Sequence, residues 1–131
     1  MNFHERMQSF SEQEIADAVR NRLPLSVLSD ARDLGLTEAE IDGLVIPQRT
    51  RRHRATRNEP LTIDESDKLM RLLRIISLTR ETFGEDAKAL AWLRRPLREL
   101  GGESPLMMSG TEAGGRVVET IVAQIAWGAA A

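Results

Sequence analysis

Five arginines fall within the nine residues Arg49-Thr50-Arg51-Arg52-His53-Arg54-Ala55-Thr56-Arg57, in a chain of 131 residues whose net charge is -2. The charge is local. Residues 1–48 carry a net -5, the run +5 and residues 58–131 a net -2. Clustered arginine in an acidic background points first to phosphate, because neutralising a nucleic-acid backbone releases its condensed counterions. Gln48, Arg49, Thr50, Arg51 and Arg52 stand at the start of the segment. Glutamine can pair with adenine and arginine with guanine in the major groove, while Arg54 and Arg57 are better placed for phosphates. The run is equally explained as a solvated helix that ends in a linker, and at this point both readings stand. The absence of aromatic rings in it argues against single-strand binding by base stacking.

No other group of residues suggests chemistry. Cysteine is absent, which excludes disulfides and thiolate metal sites. His4 and His53 lie far apart without a ligand motif, so no metal site is expected. The acidic residues fall on helix caps and exposed faces, and none forms an acid–base pair in a recognisable cleft. Gly101-Gly102 and Gly114-Gly115 follow no strand and do not read as phosphate-cradling loops. The expectation is a protein that is not an enzyme and takes no cofactor. Arg94, Arg95 and Arg98 form a smaller basic cluster near Trp92. It reads either as solvated surface beside a buried tryptophan or as an interface with a partner, where arginine and tryptophan are favoured anchors.

The elements that carry these residues all read as helix. Ser11 with Glu14, Thr37 with Glu40 and Thr62 with Glu65 are capping-box pairs, each followed by apolar residues at helical spacing. Residues 1–10 read as a loose N-terminal arm. Pro24 can open a helix that Gly35 closes. A short helix from Thr37 to Leu44 and a basic one from Pro47 to about Arg54 form a helix-turn-helix pattern, the second helix being the DNA reader. Asn58-Glu59-Pro60 breaks the chain. A long helix then carries Ile63, Leu69, Leu72, Leu73, Ile76 and Phe83 to Gly84. A shorter one holds Leu90, Trp92 and Leu93 and stops at Pro96, and Ser104-Pro105 opens a brief one. The last, from Thr111 to Trp127, places Val117, Val118, Ile121, Val122 and Ile125 on its apolar side, with Gly128 expected to end it.

The succession GLTEAEIDGLVIPQRTRRHRATRNEPLTIDESDKLMRLLRI, FGEDAKALAWLRRP and LGGESPL resembles the antitoxin family of Xre/MbcA/ParS type over about residues 12–131. The resemblance implies an all-α chain in which an Xre-like helix-turn-helix bundle precedes a small helical toxin-binding domain. The expected division is arm 1–10, DNA-binding domain 11–60 and toxin-binding domain 61–131. It further implies operator DNA and a toxin with a RES domain as partners, that toxin consuming NAD or using it to ADP-ribosylate a target. A homodimer within a larger toxin–antitoxin complex is also implied. Trp127, Gly128, Ala129, Ala130 and Ala131 would then enter the toxin's NAD cleft, where small residues pass without steric conflict. Read from the residues alone, an ordinary frayed terminus with Trp127 in the core is favoured over a neutralising tail, and both readings stand.

The chain departs from the family pattern at several places. Val45 stands where the turn usually has glycine, and Arg51 where the second helix usually has an apolar residue. An arginine there is expected to snorkel out of the core. Leu97 replaces a frequent asparagine, and Met107-Met108-Ser109-Gly110 is less regular than the family's leucine-rich version. Two alternatives stand beside this reading: a stand-alone helix-turn-helix repressor, which rests on the basic run alone, and a toxin-binding antitoxin without DNA binding, which fits the departures at Val45 and Arg51. No apolar run approaches the ~20 residues of a membrane span. The start MNFHERMQSF lacks a signal peptide's charged and apolar regions, so no membrane association and a cytoplasmic address are expected.

Overall fold

Three reciprocal capping boxes start helices where the sequence places them. Ser11 and Glu14 exchange side-chain and backbone hydrogen bonds, and so do Thr37 and Glu40, and Thr62 and Glu65. Each box satisfies two backbone N–H groups that a helix start leaves without partners. The computed structural model describes residues 1–130, with side-chain surroundings described as far as Gly128. In chain order the helices are α1 (Phe3–Met7), α2 (Glu12–Arg20), α3 (Leu28–Asp33), α4 (Glu38–Leu44), α5 (Gln48–Thr56), α6 (Ile63–Phe83), α7 (Asp86–Leu93), α8 (Pro105–Met108) and α9 (Glu112–Ala130). Short 3-10 turns occupy Leu25–Val27 and Arg98–Leu100. The described residues contain no strand, so the all-α expectation holds.

The helices form two compact units, Met1–Met70 and Arg71–Ala131. The division falls inside α6, beyond the break expected near residue 60. The break at Asn58–Leu61 is tied down instead. Leu61 N–H donates to the Leu23 carbonyl at 3.0 Å, and Leu23 N–H donates to the buried Ser66 Oγ at 2.9 Å. Arg22 Nε donates to the Leu61 carbonyl at 2.8 Å. Arg22 adopts φ +64 to make this clamp, a conformation costing a non-glycine residue of order 1–3 kcal/mol. These bonds hold the start of α6 against the end of α2.

In the first unit, Leu28, Ala31, Ile41, Ile46, Leu61 and Leu69 are fully buried. Each such leucine or isoleucine contributes about 1.5–3 kcal/mol of apolar burial. Gly35 closes α3 at φ +104, which returns the chain toward α4 without strain. The first ten residues are not the loose arm expected. They contain α1, Asn2 caps it, Met7 is buried, and His4 N–H donates to the buried Asp30 carboxylate. One apolar anchor, Met7, and one buried acceptor, Asp30, fix the segment that read as a loose arm.

In the second unit, α7, α8 and α9 contact one another in sequence order, and Ile75, Ile76, Leu93, Leu106, Val118 and Val122 are buried. Thr111 Oγ1 accepts the Gly114 N–H at 3.0 Å at the start of α9. There the helix passes so close to α8 that a Cβ on Gly114 would lie 1.8 Å from the Met108 carbonyl oxygen. Gly114 is therefore a packing requirement. Gly128 does not end α9, which continues to Ala130, because a glycine costs a helix about 1 kcal/mol and breaks it only when a left-handed cap follows. Val117 and Ile63, assigned to apolar faces from their spacing, are about half exposed (47% and 53%).

Candidate nucleic-acid interface and partner surface

α4, the turn Val45–Pro47 and α5 form the expected helix-turn-helix. Val45 is buried and has φ -122, so this turn needs no glycine. Val45 and Ile46 N–H groups both donate to the Ile41 carbonyl, at 2.9 and 3.1 Å, and close the turn. Pro47 opens α5 but offers no side-chain cap. Asp42 supplies it from α4, its carboxylate accepting the Gln48 N–H. A carboxylate at a helix N-terminus also complements the helix dipole.

Arg51 does not snorkel outward. It is 9% exposed, its Nη1 donates to Glu38 Oε2 at 2.6 Å, and its Nη2 lies 3.6 Å from Asp42. Glu38 also pairs with Arg32. Arg32, by its hydrogen bond, and then Arg51 hold the Glu38 carboxyl down to about 2. One turn apart on α4, Glu38 and Asp42 face the same helix, which explains how α5 accepts an arginine at an apolar position. Arg51, expected among the DNA-contacting residues, is instead buried and held in ion pairs with α4.

Arg54 is likewise turned inward. Its guanidinium forks onto Glu65, the first-turn carboxylate of α6, with Nη2 to Oε2 at 3.0 Å. The Glu65 hydrogen bond raises the Arg54 pKa. Burial pushes the Glu65 carboxyl up, but Arg54 and the Thr62 amide outweigh it and hold it below the usual range. A bidentate pair of this kind is preorganised and strong. What remains outward is narrower than the sequence suggested. Gln48, Arg49 and Arg52 are exposed on α5, Arg57 is exposed at its end with only a 4.0 Å contact to Glu59, and Thr50 is half-buried.

Glu38, Asp42 and Glu65 were not singled out from the sequence as partners of the run. The available signal was the Glu38-x-x-x-Asp42 spacing, which places both carboxylates on one face of the preceding helix.

In the second unit, Trp92 is buried against Phe83, ring centroids 5.7 Å apart. It is a core residue, and only Arg94, Arg95 and Arg98 of that cluster are exposed. Trp127 is 79% exposed near the end of α9 and so is not core. Gly128 is exposed, Ala129 and Ala130 are described only as the last residues of α9, and Ala131 lies outside the described residues. Among the described residues no group of His, Asp or Glu is arranged to hold a metal ion. No described helix is long and apolar enough to cross a membrane.

The fold and its basic helix define a helix-turn-helix protein with a second helical unit following. Family models divide the chain similarly. Residues 14–74 match the antitoxin Xre-like helix-turn-helix domain, and residues 78–128 match the antitoxin Xre/MbcA/ParS C-terminal toxin-binding domain. The chain belongs to the Xre/MbcA/ParS antitoxin family. Among its relatives is an antitoxin Xre of Pseudomonas putida, 42% identical over 93 residues, covering 71% of this chain and 58% of the relative. An antitoxin Xre of Yersinia enterocolitica is 31% identical over 84 residues, covering 63% and 57%. A Sphingobium protein named Prs ADP-ribosylating antitoxin is 33% identical over 97 residues, covering 67% and 61%. The matches span about three fifths of each relative's length.

Proposed function

We propose that this chain neutralises a RES-domain toxin, which consumes NAD or transfers ADP-ribose from it, by placing residues 127–131 in the toxin's active site. The observation that carries this reading is the exposed Trp127 on a helix that continues to Ala130, in the unit matched by a toxin-binding domain. An exposed tryptophan is a strong candidate anchor for a partner, and the small residues after it suit a narrow cleft. The name of the Sphingobium relative supports ADP-ribosylation as the activity restrained. Inhibition is by occlusion, with no chemistry and no cofactor on this chain.

The same chain acts in the cytoplasm as a homodimer that represses its own operon, with Gln48, Arg49, Arg52 and Arg57 toward operator DNA. Arg94, Arg95 and Arg98 are assigned to the toxin or dimer interface. Co-expression with a RES-domain toxin tests the central claim. A chain truncated after Ala126 should bind toxin but fail to rescue growth and NAD levels, and full rescue would refute the tail mechanism.

A further inference from the structure

Between the Leu25–Val27 turn with α3 and one side of α5 lies an open groove of about 580 Å3, the size of a small-molecule site. Leu25, Leu28 and Ala55 give it an apolar wall. Three guanidinium groups, of Arg32, Arg51 and Arg52, stand around it with the Glu38 carboxylate, and Asp42 lies 3.6 Å from Arg51 Nη2. Glu38 divides its two oxygens between Arg32 and Arg51, and Arg52 enters no ion pair among the described residues. Arg51 Nε and Nη2 are buried without a hydrogen-bond partner. Buried donors left unfilled beside an excess of positive charge are the mark of a missing acceptor.

The geometry points to a binding groove for a small organic phosphate monoester with an apolar body. Its phosphate lies by Arg52 and Arg32, and its body covers Leu25, Leu28 and Ala55. A monoester carries about -1.5 to -2 at neutral pH, opposite in sign to a lining whose three guanidinium groups outnumber the Glu38 and Asp42 carboxylates. Gln48 also lines the groove, so the site shares side chains with the face assigned to DNA. The inference goes beyond toxin neutralisation and does not depend on DNA binding.

Phenyl phosphate is the probe. The isotope-labelled full chain is titrated at constant ionic strength while its amide resonances are followed. Saturable shifts confined to residues 25–28, 32, 38 and 48–55 are expected, with affinity roughly tenfold tighter than inorganic phosphate because the ring covers apolar surface. Ala55→Gln, at an exposed helical position, fills the groove and should weaken phenyl phosphate at least tenfold with an unchanged melting temperature. Shifts spread equally over Arg95 and Arg98, or an Ala55→Gln affinity equal to wild type, overturn the proposal. A DNA backbone is the other source of phosphate, so a duplex of arbitrary sequence is titrated in parallel. Shifts at Leu25 and Leu28 equal to those from phenyl phosphate would reassign the groove to DNA and overturn the small ligand.

Discussion

Arg51 donates to Glu38 at 2.6 Å across the helix-turn-helix, from the buried side of the second helix to the exposed side of the first. The ion pair replaces what would ordinarily be an apolar packing residue, so the angle of α5 is set partly by charge. Breaking such a pair from one side leaves a buried cation unpaired, whereas replacing the cation with an apolar side chain removes the problem. Arg51→Met is therefore expected to be close to neutral and Glu38→Ala clearly destabilising. Urea unfolding of the two variants gives the order, and the reverse order would mean that the pair does not hold α5.

The same pair makes the first unit acid-sensitive. A carboxyl whose folded pKa is depressed stabilises the fold above its unfolded value and loses that contribution as pH falls through the folded value. For Glu38 the window runs from its ordinary 4.5 down to about 2, and Glu65 is displaced in the same direction. Melting temperature should hold above pH 5 and fall between pH 4.5 and 2. In the Glu38→Gln variant, that fall should be shallower.

Outward and inward arginines should behave differently toward DNA. Arg49→Ala with Arg52→Ala should weaken duplex binding and reduce the salt slope by about 2, near 0.9 for each phosphate that is no longer neutralised. Arg54→Ala should chiefly lower stability, because it leaves the partly buried Glu65 carboxylate without its fork. Binding isotherms at several salt concentrations, beside melts of each variant, separate the effects. An unchanged slope in the double variant would place the DNA-binding surface elsewhere than α5.

Gly114 and Gly43 form a matched pair of substitutions. Gly114→Ala places a methyl group on the Met108 carbonyl oxygen, and overpacking of this kind typically costs ~1–3 kcal/mol. Gly43 lies inside α4 with nothing within 4 Å of an added Cβ. Gly43→Ala should therefore stabilise by about 0.5–1 kcal/mol through helix propensity. Chemical denaturation reads both, and equal effects would contradict the close approach of α8 and α9.

Trp127→Ala should leave folding within about 0.5 kcal/mol, as exposed substitutions generally do, while reducing toxin neutralisation. A large loss of stability would instead show that Trp127 packs within its own chain.

Helix starts were legible in the sequence because a capping box is a local device, complete within four residues. Ser11, Thr37 and Thr62 all behave as their spacing with Glu14, Glu40 and Glu65 implies. The order of the helices, the turn before the basic segment and the family resemblance were carried by the same local patterns. The fate of each arginine was not. Arg49, Arg51, Arg52 and Arg54 are alike in type and share one helix, yet two are exposed and two are bound to Glu38 and Glu65, 13 and 11 residues away. Such pairings depend on which helix faces pack together, and that is settled by apolar burial summed over the whole unit. For the same reason Met7 could dock a short α1, and Gly114 could become indispensable through a carbonyl on another helix. Clustered charge marked the basic helix in the sequence; packing decided which of its side chains remain exposed.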